Sequence, residues 1–503
     1  MEIKGGLGLA TFGIAAAIAY FVLTSIQGYR RLRHIPGPFW ARWSNLWLSR
    51  QMFRGEYVEV MDRLHRQHGP IVCLAPDFVS ISDPVEIART KRKWNRGPAY
   101  DGMRLRPGQE SLFVEQDPKT HDRLRAKFTP AFIGRDVVEG VEGIIDDHLV
   151  GLLELIEHKY ISTPDNYRPM DLTKVLTYLT TDITSCMALG QDFECLKRED
   201  DFHGYIHSVE SYLHVLSSLI VLPVFQRFMR TPWLKYVDLM RPPLRPILEI
   251  AEASVAQRFG EKRVEQKDML GALVAHGVSQ GALEYETVYV LAAGSDTSST
   301  AMKATILHVI STPSVYRRLQ KEIDESLASG KVTTSPISSS QARELPYLQA
   351  VIREGLRVFP PAAIIPVASD QEEVVCGKRV PAGVNVEPSL KTAARDKSIY
   401  GDDADTFRPE RWLEADADKL RGMEETSRVI WGGPGRWECQ GKNIARIELD
   451  KVFFELFRRF DMVLADPTSP WKTLSCRLWV TTDMYVKVER RSAGCDLNVG
   501  HRA

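Results

Sequence analysis

The chain has no charge imbalance. Lys and Arg total 65 and Asp and Glu total 65, so net charge gives no reason to expect a nucleic-acid partner. It also lacks paired cysteines. The seven, at 73, 186, 195, 376, 439, 476 and 495, are scattered, which excludes a disulfide framework or a local zinc-binding spacing and suits a reducing compartment. Extremes of composition are absent too. With 44% apolar and 26% charged residues the chain reads as globular, and 503 residues suffice for a large core in one to three domains.

What is present begins with an apolar run. Leu7–Ile26 is 20 residues without a charge, about 30 Å long as a helix and able to span a bilayer. Arg30, Arg31 and Arg33 follow it. A cleaved signal peptide has a shorter apolar core behind a basic start, and a basic cluster just beyond hinders export. The pattern therefore predicts an uncleaved single-pass anchor over 1–28. Arginines on its C-terminal side should keep the rest of the chain cytoplasmic. His34-Ile-Pro-Gly-Pro38 stiffens a basic, proline-rich hinge over 29–40.

Periodicity predicts an amphipathic helix over 57–69, strands within 71–82, long helices over 138–157 and 172–188, a further helix within 238–259 and another over 442–460. The stretch 96–116 is irregular, and 474–488 reads as a final hairpin. Residues 205–236 are strongly apolar; core packing explains much of that, and any exposed remainder would rest on a membrane. Thr287–Val309 is a largely apolar helix candidate interrupted by Ala293-Gly-Ser-Asp-Thr-Ser298, residues that fit poorly in a buried helix interior.

The densest signal is Val429–Ala445, reading VIWGGPGRWECQGKNIA. Gly432, Gly433 and Gly435 clear a surface that a flat ligand or another backbone can approach, and Pro434 stiffens the turn. Cys439 then lies near a helix start, where amide N–H groups favour a thiolate. One reading is a structural cysteine in a Gly-rich loop. The other is a thiolate holding haem iron, with the opposite face open for oxygen.

This stretch resembles the haem-binding loop of the cytochrome P-450 family, Phe-Gly-x-Gly-x-Arg-x-Cys-x-Gly, at Gly433, Gly435, Cys439, Gly441 and Ala445. Gly432 stands at the usual Phe and Trp437 at the usual Arg, with Arg436 beside it; the Gly-Arg-Trp-x-Cys version looks like filamentous-fungal members. Three further segments match the family in order: Ala293–Ser298, Glu354-x-x-Arg357, and Phe407-Arg-Pro-Glu-Arg-Trp412.

The resemblance implies a mainly α (α+β) fold with a large helical part and a small β-rich part, as one haem domain over 41–503. It implies haem b with Cys439 as axial ligand. His121, Arg125, Arg436 and Trp437 would hold the propionates, and Gly433 would lie against the ring. Asp296 and Thr297 would relay protons beneath a helix opened locally at Gly294. Glu354, Arg357 and Arg411 would form a buried network. Ala293, Ile364, Ile365 and Val367 would line the substrate pocket; many members carry a basic residue at the position of Val367.

The activity implied is monooxygenation of an apolar small molecule, a terpenoid, polyketide or alkaloid of fungal secondary metabolism. Electrons from NADPH would arrive through a reductase, with cytochrome b5 as a further partner, at the endoplasmic reticulum membrane. Arg123, Lys127, Lys442 and Arg446 would dock the reductase. The competing readings are a haem-thiolate isomerase or dehydratase, and a non-catalytic membrane haem carrier or sensor.

Overall fold

Apolar residues at helical spacing close the first long segment. The helix Tyr57–His68 buries Tyr57, Val58, Val60, Met61 and Leu64, and stops at Gly69, whose φ of 92° favours glycine. Two β-branched runs follow as β1 (Ile71–Ala75) and β2 (Phe78–Ile81), buried throughout. The computed structural model describes residues 22–491 apart from 110, 134, 235–240, 262, 267, 363–365 and 434. Most of the anchor predicted over 1–28 lies outside the described residues; its end belongs to a helix over 22–32.

After the short strand β3 (Asn95–Arg96) the chain is mainly helical. The helices that place the site are α1 (Pro118–Phe128), α2 (Arg135–Leu155), α3 (Leu172–Leu189), α4 (Tyr205–Ile220), α5 (Pro223–Arg230), α6 (Gln280–Ile310), α7 (Pro346–Val358) and α8 (Lys442–Arg459). Between α7 and α8 run β4 (Val367–Ala368) and β5 (Asn385–Pro388). The largest sheet has the order β1-β2-β5-β4-β3. Its β2–β5 pair is parallel and its other pairs are antiparallel. The last hairpin pairs Lys472–Ser475 with Trp479–Thr482.

The main core joins Leu152 of α2, Ile183 of α3, Leu291 and Ile306 of α6, and Phe453, Phe454 and Phe457 of α8. A second core underlies the sheet and includes Leu32, Ile35, Cys73, Val367 and Val386. The segment 29–40 is thus packed onto the domain. Leu32 and Ile35 are fully buried, Cys73 N donates to Pro36 O at 2.7 Å, and Arg31 Nη2 donates to Ala382 O at 2.8 Å.

At 31 residues, α6 is the longest helix described, about 46 Å at 1.5 Å per residue. The Ala293–Ser298 segment does not interrupt it, contrary to its propensity. Gly294 has a packing role here: a Cβ on it would lie 2.8 Å from Thr184 Cγ2 of α3. The missing side chain lets the two helices approach, and that tertiary contact outweighs glycine's cost of about 1 kcal/mol in a helix. The predicted local opening is not seen.

Candidate active site at the cysteine loop

Cys439 is placed by the turns before it. Gly432, Gly433 and Gly435 have φ of 91°, 84° and 104°, a conformation side chains resist. Gly433 N donates to Arg428 O at 3.0 Å, and Cys439 N donates to Trp431 O at 2.7 Å. The Cys439 side chain is exposed, yet enough protein surrounds it that burial raises the thiol pKa. The amides of Gly441 and Lys442, at the start of α8, and the charge of Arg125 act against that rise by favouring the thiolate.

Helix α1 clasps this loop from outside. Arg125 Nη1 donates to Arg436 O at 3.0 Å and to Glu438 O at 2.8 Å. Arg436 turns away to make a two-pronged bond to Asp122, at 2.7 and 2.9 Å. Trp437 gives its one N–H to Trp94 O at 2.9 Å. The propionate role expected of Arg436 and Trp437 therefore meets side chains already engaged, one by a carboxylate and the other by a backbone carbonyl.

His121 is 1% exposed, with its ring 4.5 Å from that of Trp437. Burial, helped by the charges of Arg96 and Arg125 and opposed by Asp122, pushes its pKa down to about 4. It is a neutral hydrogen-bonding group at pH 7 rather than half of a cationic pair.

Arg96 escaped the sequence reading. Its guanidinium lies 4.7 Å over the Trp437 ring and 4.9 Å over Tyr100. Nη1 donates to Leu112 O and Glu115 O, while Nε is buried without a partner among the described residues. Arg96 is the register partner of Val367 across the β3–β4 pair. The base absent at Val367 is thus present directly opposite, and only the pairing of two short strands discloses it. Val367 itself is 2% exposed and belongs to the second core. It lines no open wall, because β4 is held between β3 and β5 with that side chain packed inward. Ile364 and Ile365 lie outside the described residues.

On α6, Ala293 is exposed and Thr297 half-buried one turn later, whereas Ser295, Ser298 and Ser299 are buried. Thr297 Oγ1 donates to Ala293 O at 2.7 Å. Asp296 Oδ2 accepts from Tyr205 Oη of α4 at 3.3 Å, and that hydroxyl also bonds Ser295 Oγ at 2.8 Å. Burial raises the Asp296 pKa to about 7, with Lys303 and Tyr205 pulling down and Glu210 pushing up.

Glu354, Arg357 and Arg411 meet in one network, each with a fully buried side chain. Arg357 bonds both Glu354 oxygens, at 2.8 and 2.7 Å, and Arg411 Nε bonds Oε1 at 2.9 Å. Trp412 Nε1 and the Arg408 amide add bonds to the same carboxylate at 2.9 Å each. Arg357 also donates to the carbonyls of Ala394, Ala404 and Thr406, and Arg411 to those of Tyr400, Asp403 and Thr406.

A sequence model of the family described as Cytochrome P450 matches residues 34–486. The chain belongs to the cytochrome P450 family. It is similar to the cytochrome P450 monooxygenase ABA1 of Pyricularia oryzae, 36% identical over 495 residues, 95% of this chain and 96% of the relative. It is also similar to the cytochrome P450 monooxygenase aba1 of Botryotinia fuckeliana, 32% identical over 471 residues, 91% and 92% of the two chains. The cytochrome P450 monooxygenase abl1 of Leptosphaeria maculans is 32% identical over 482 residues, 91% and 83%. This P450 is accordingly a monooxygenase of fungal type whose family implies a haem cofactor, reductase-supplied electrons and a small-molecule substrate. The residues present fit haem: a sulfur faced by amide donors, open space beside Gly435, where a Cβ would meet nothing within 4 Å, and a buried Arg96 Nε that lacks an acceptor among the described residues. The bare faces of Gly432 and Gly433 are instead taken by Trp437 O and the Lys91 side chain.

Proposed function

We propose that this P450 inserts one oxygen atom from O2 into an apolar intermediate of fungal secondary metabolism, a terpenoid, polyketide or alkaloid, by hydroxylation, epoxidation or successive oxidations. The observation that carries the reading is the acid–alcohol pair on α6: Asp296 with its pKa near 7, next to Thr297 beside the exposed Ala293. The fungal monooxygenases to which the chain is similar support the setting.

Bound haem supplies the one-electron and dioxygen chemistry. Cys439 would hold its iron as a thiolate, with the Gly441 and Lys442 amides favouring the sulfur's negative charge. Arg96, His121 and Arg125 would meet the propionates. Near pH 7 a group with the pKa of Asp296 is about half protonated, so it can both give and regain a proton. Thr297 Oγ1 donates its proton to Ala293 O, which leaves its lone pairs to accept a hydrogen bond from a water or hydroxyl and so hold in place the proton that Asp296 supplies. Glu354, Arg357 and Arg411 fix the core beneath the loop and touch no substrate.

NADPH–cytochrome P450 reductase and cytochrome b5 would dock against the basic residues around α1 and the start of α8. Arg123 and Arg446 are exposed there, Lys127 is half-buried and donates to Gly277 O at 2.8 Å, and Lys442 pairs with Glu438 at 2.9 Å. The location proposed is the endoplasmic reticulum membrane, with a single-pass anchor ahead of a cytoplasmic domain. Phe39, Trp40 and Leu46 are 60%, 70% and 60% exposed, and Val224 and Trp233 74% and 75%. Asn45 Nδ2 donates to Val221 O at 2.8 Å, joining the two segments that carry them. Such an apolar area favours contact with lipid. Among the described residues no single helix is long and apolar enough to cross a membrane; only α4 with α5, bent by 96°, passes by length and composition.

The deciding experiment compares accurate masses of metabolites from the source organism with and without this gene. A lost product replaced by a precursor lighter by one oxygen supports the proposal and names the substrate. An isomeric precursor would replace it with oxygen-independent rearrangement, and an unchanged profile with steady haem loading would favour a carrier.

A further inference from the structure

The cysteines have no zinc-binding spacing along the chain, yet the fold draws one of them into a set of converging ligands. His148 projects from α2, Cys186 from α3, and Asp192 lies in the turn that follows α3. His148 Nε2 is 3.9 Å from Cys186 Sγ and 3.4 Å from Asp192 Oδ2. The three atoms all lie within 4.8 Å of one another. Tetrahedral zinc with bonds of about 2.0–2.3 Å sets its ligand atoms about 3.3–3.5 Å apart, so a small contraction of the thiol side completes the geometry.

Each of two ligands is aimed by its other polar atom. His148 Nδ1 bonds Ile144 O at 2.8 Å, which directs Nε2 toward Cys186 and Asp192. Asp192 Oδ1 accepts from the Glu194 amide at 2.8 Å, which leaves Oδ2 facing the imidazole. Metal-bound histidines and carboxylates are held by outer bonds of this kind. A nucleophilic relay is the other use of Cys, His and Asp, and it places thiol and carboxylate on opposite ring nitrogens. Here both face Nε2.

We propose that His148, Cys186 and Asp192 form a three-ligand zinc site, with a fourth position open to water, that ties α2, α3 and the turn after α3 together. Thiolate and imidazole select zinc over magnesium or calcium. Asp192 is exposed and the other two are half-buried, so the ion can enter from solvent. None of the three belongs to the haem site.

The test uses the full-length haem-loaded enzyme, washed with chelator, supplied with zinc sulfate and desalted. Zinc and iron are then counted by mass spectrometry, and affinity is read by competition with a chromophoric chelator. One zinc per iron is expected, with a higher melting temperature in its presence. The Asp192→Asn, His148→Gln and Cys186→Ser variants should each bind zinc at least about 10-fold more weakly while keeping the parental haem spectrum. The exposed Asp192→Asn change keeps the test valid if the two half-buried variants fold poorly. No retained zinc, or equal retention by the parent and Asp192→Asn, overturns the assignment; the second outcome would mean that zinc binds elsewhere.

Discussion

Glu354→Gln removes one charge from a site in which Glu354, Arg357 and Arg411 are all at 0% side-chain exposure. The shape is kept, but Arg357 and Arg411 lose the carboxylate they share, Arg411 keeping only its 3.0 Å pair with Asp403 Oδ1, and an amide N–H2 now faces donors. Breaking a buried pair in this way costs about 3–5 kcal/mol, a large share of a typical stability of about 5–15 kcal/mol. At about 2.1 cal/mol/K per residue, the 503 residues give an unfolding entropy of about 1 kcal/mol/K. The melting temperature of the haem-loaded enzyme should therefore fall by about 3–5 °C, read from the loss of haem absorbance at one fixed scan rate. An apolar replacement of the whole triad, Glu354→Leu with Arg357→Met and Arg411→Met, should fail to restore it. Four backbone carbonyls, those of Ala394, Tyr400, Ala404 and Thr406, would lose their donors, at about 1–3 kcal/mol each, while Asp403 O keeps the Thr406 amide. A melting temperature within about 1 °C of the parent for Glu354→Gln, or recovery in the triple variant, would refute the reasoning.

Thr297→Ala should divert reducing equivalents into peroxide, with product per NADPH falling about 10-fold or more; unchanged coupling would remove Thr297 from proton delivery. Asp296, with its pKa raised to about 7 mainly by burial, should give the kcat–pH profile an inflection near pH 7 that Asp296→Asn abolishes. The same shift has a stability sign: between about pH 4 and 7 the folded state holds the extra proton, so this group's contribution declines as pH rises, and the variant should flatten that slope in melting experiments. Arg96→Leu removes a charged donor worth about 1.5–3 kcal/mol, so haem should transfer to an apoprotein acceptor roughly 10–100-fold faster; an unchanged rate would exclude Arg96 from haem retention.

The parts of this protein that local chemistry dictates were readable from its sequence. The glycines ahead of Cys439, the helix after it, and the Glu354–Arg357 spacing each express a geometric need within a few residues. Nonlocal contacts were not readable in this way. Arg96 acquires its place only when β3 pairs with β4, two residues on each side, and that pairing also buries Val367 instead of opening it to a pocket. The neutral state of His121 depends on Arg96 and Arg125 crowding a buried ring. The unbroken α6 depends on Thr184, more than a hundred residues away, receiving the bare face of Gly294. Tyr205 shows no motif at all; its hydroxyl matters because α4 crosses α6 at Ser295 and Asp296.

The Arg96–Val367 register has a practical consequence. Residues directly opposite on antiparallel strands share a face, with Cβ atoms about 4.5–5.5 Å apart, so these positions are two chain addresses for nearly one location in space. A charge written at either address reaches the same neighbourhood, anchored on the Trp437 ring. An engineer wishing to retune the electrostatics there can therefore relocate the base, by exchanging Arg96 and Val367 between strands, and keep the net charge constant while changing only the direction from which it arrives.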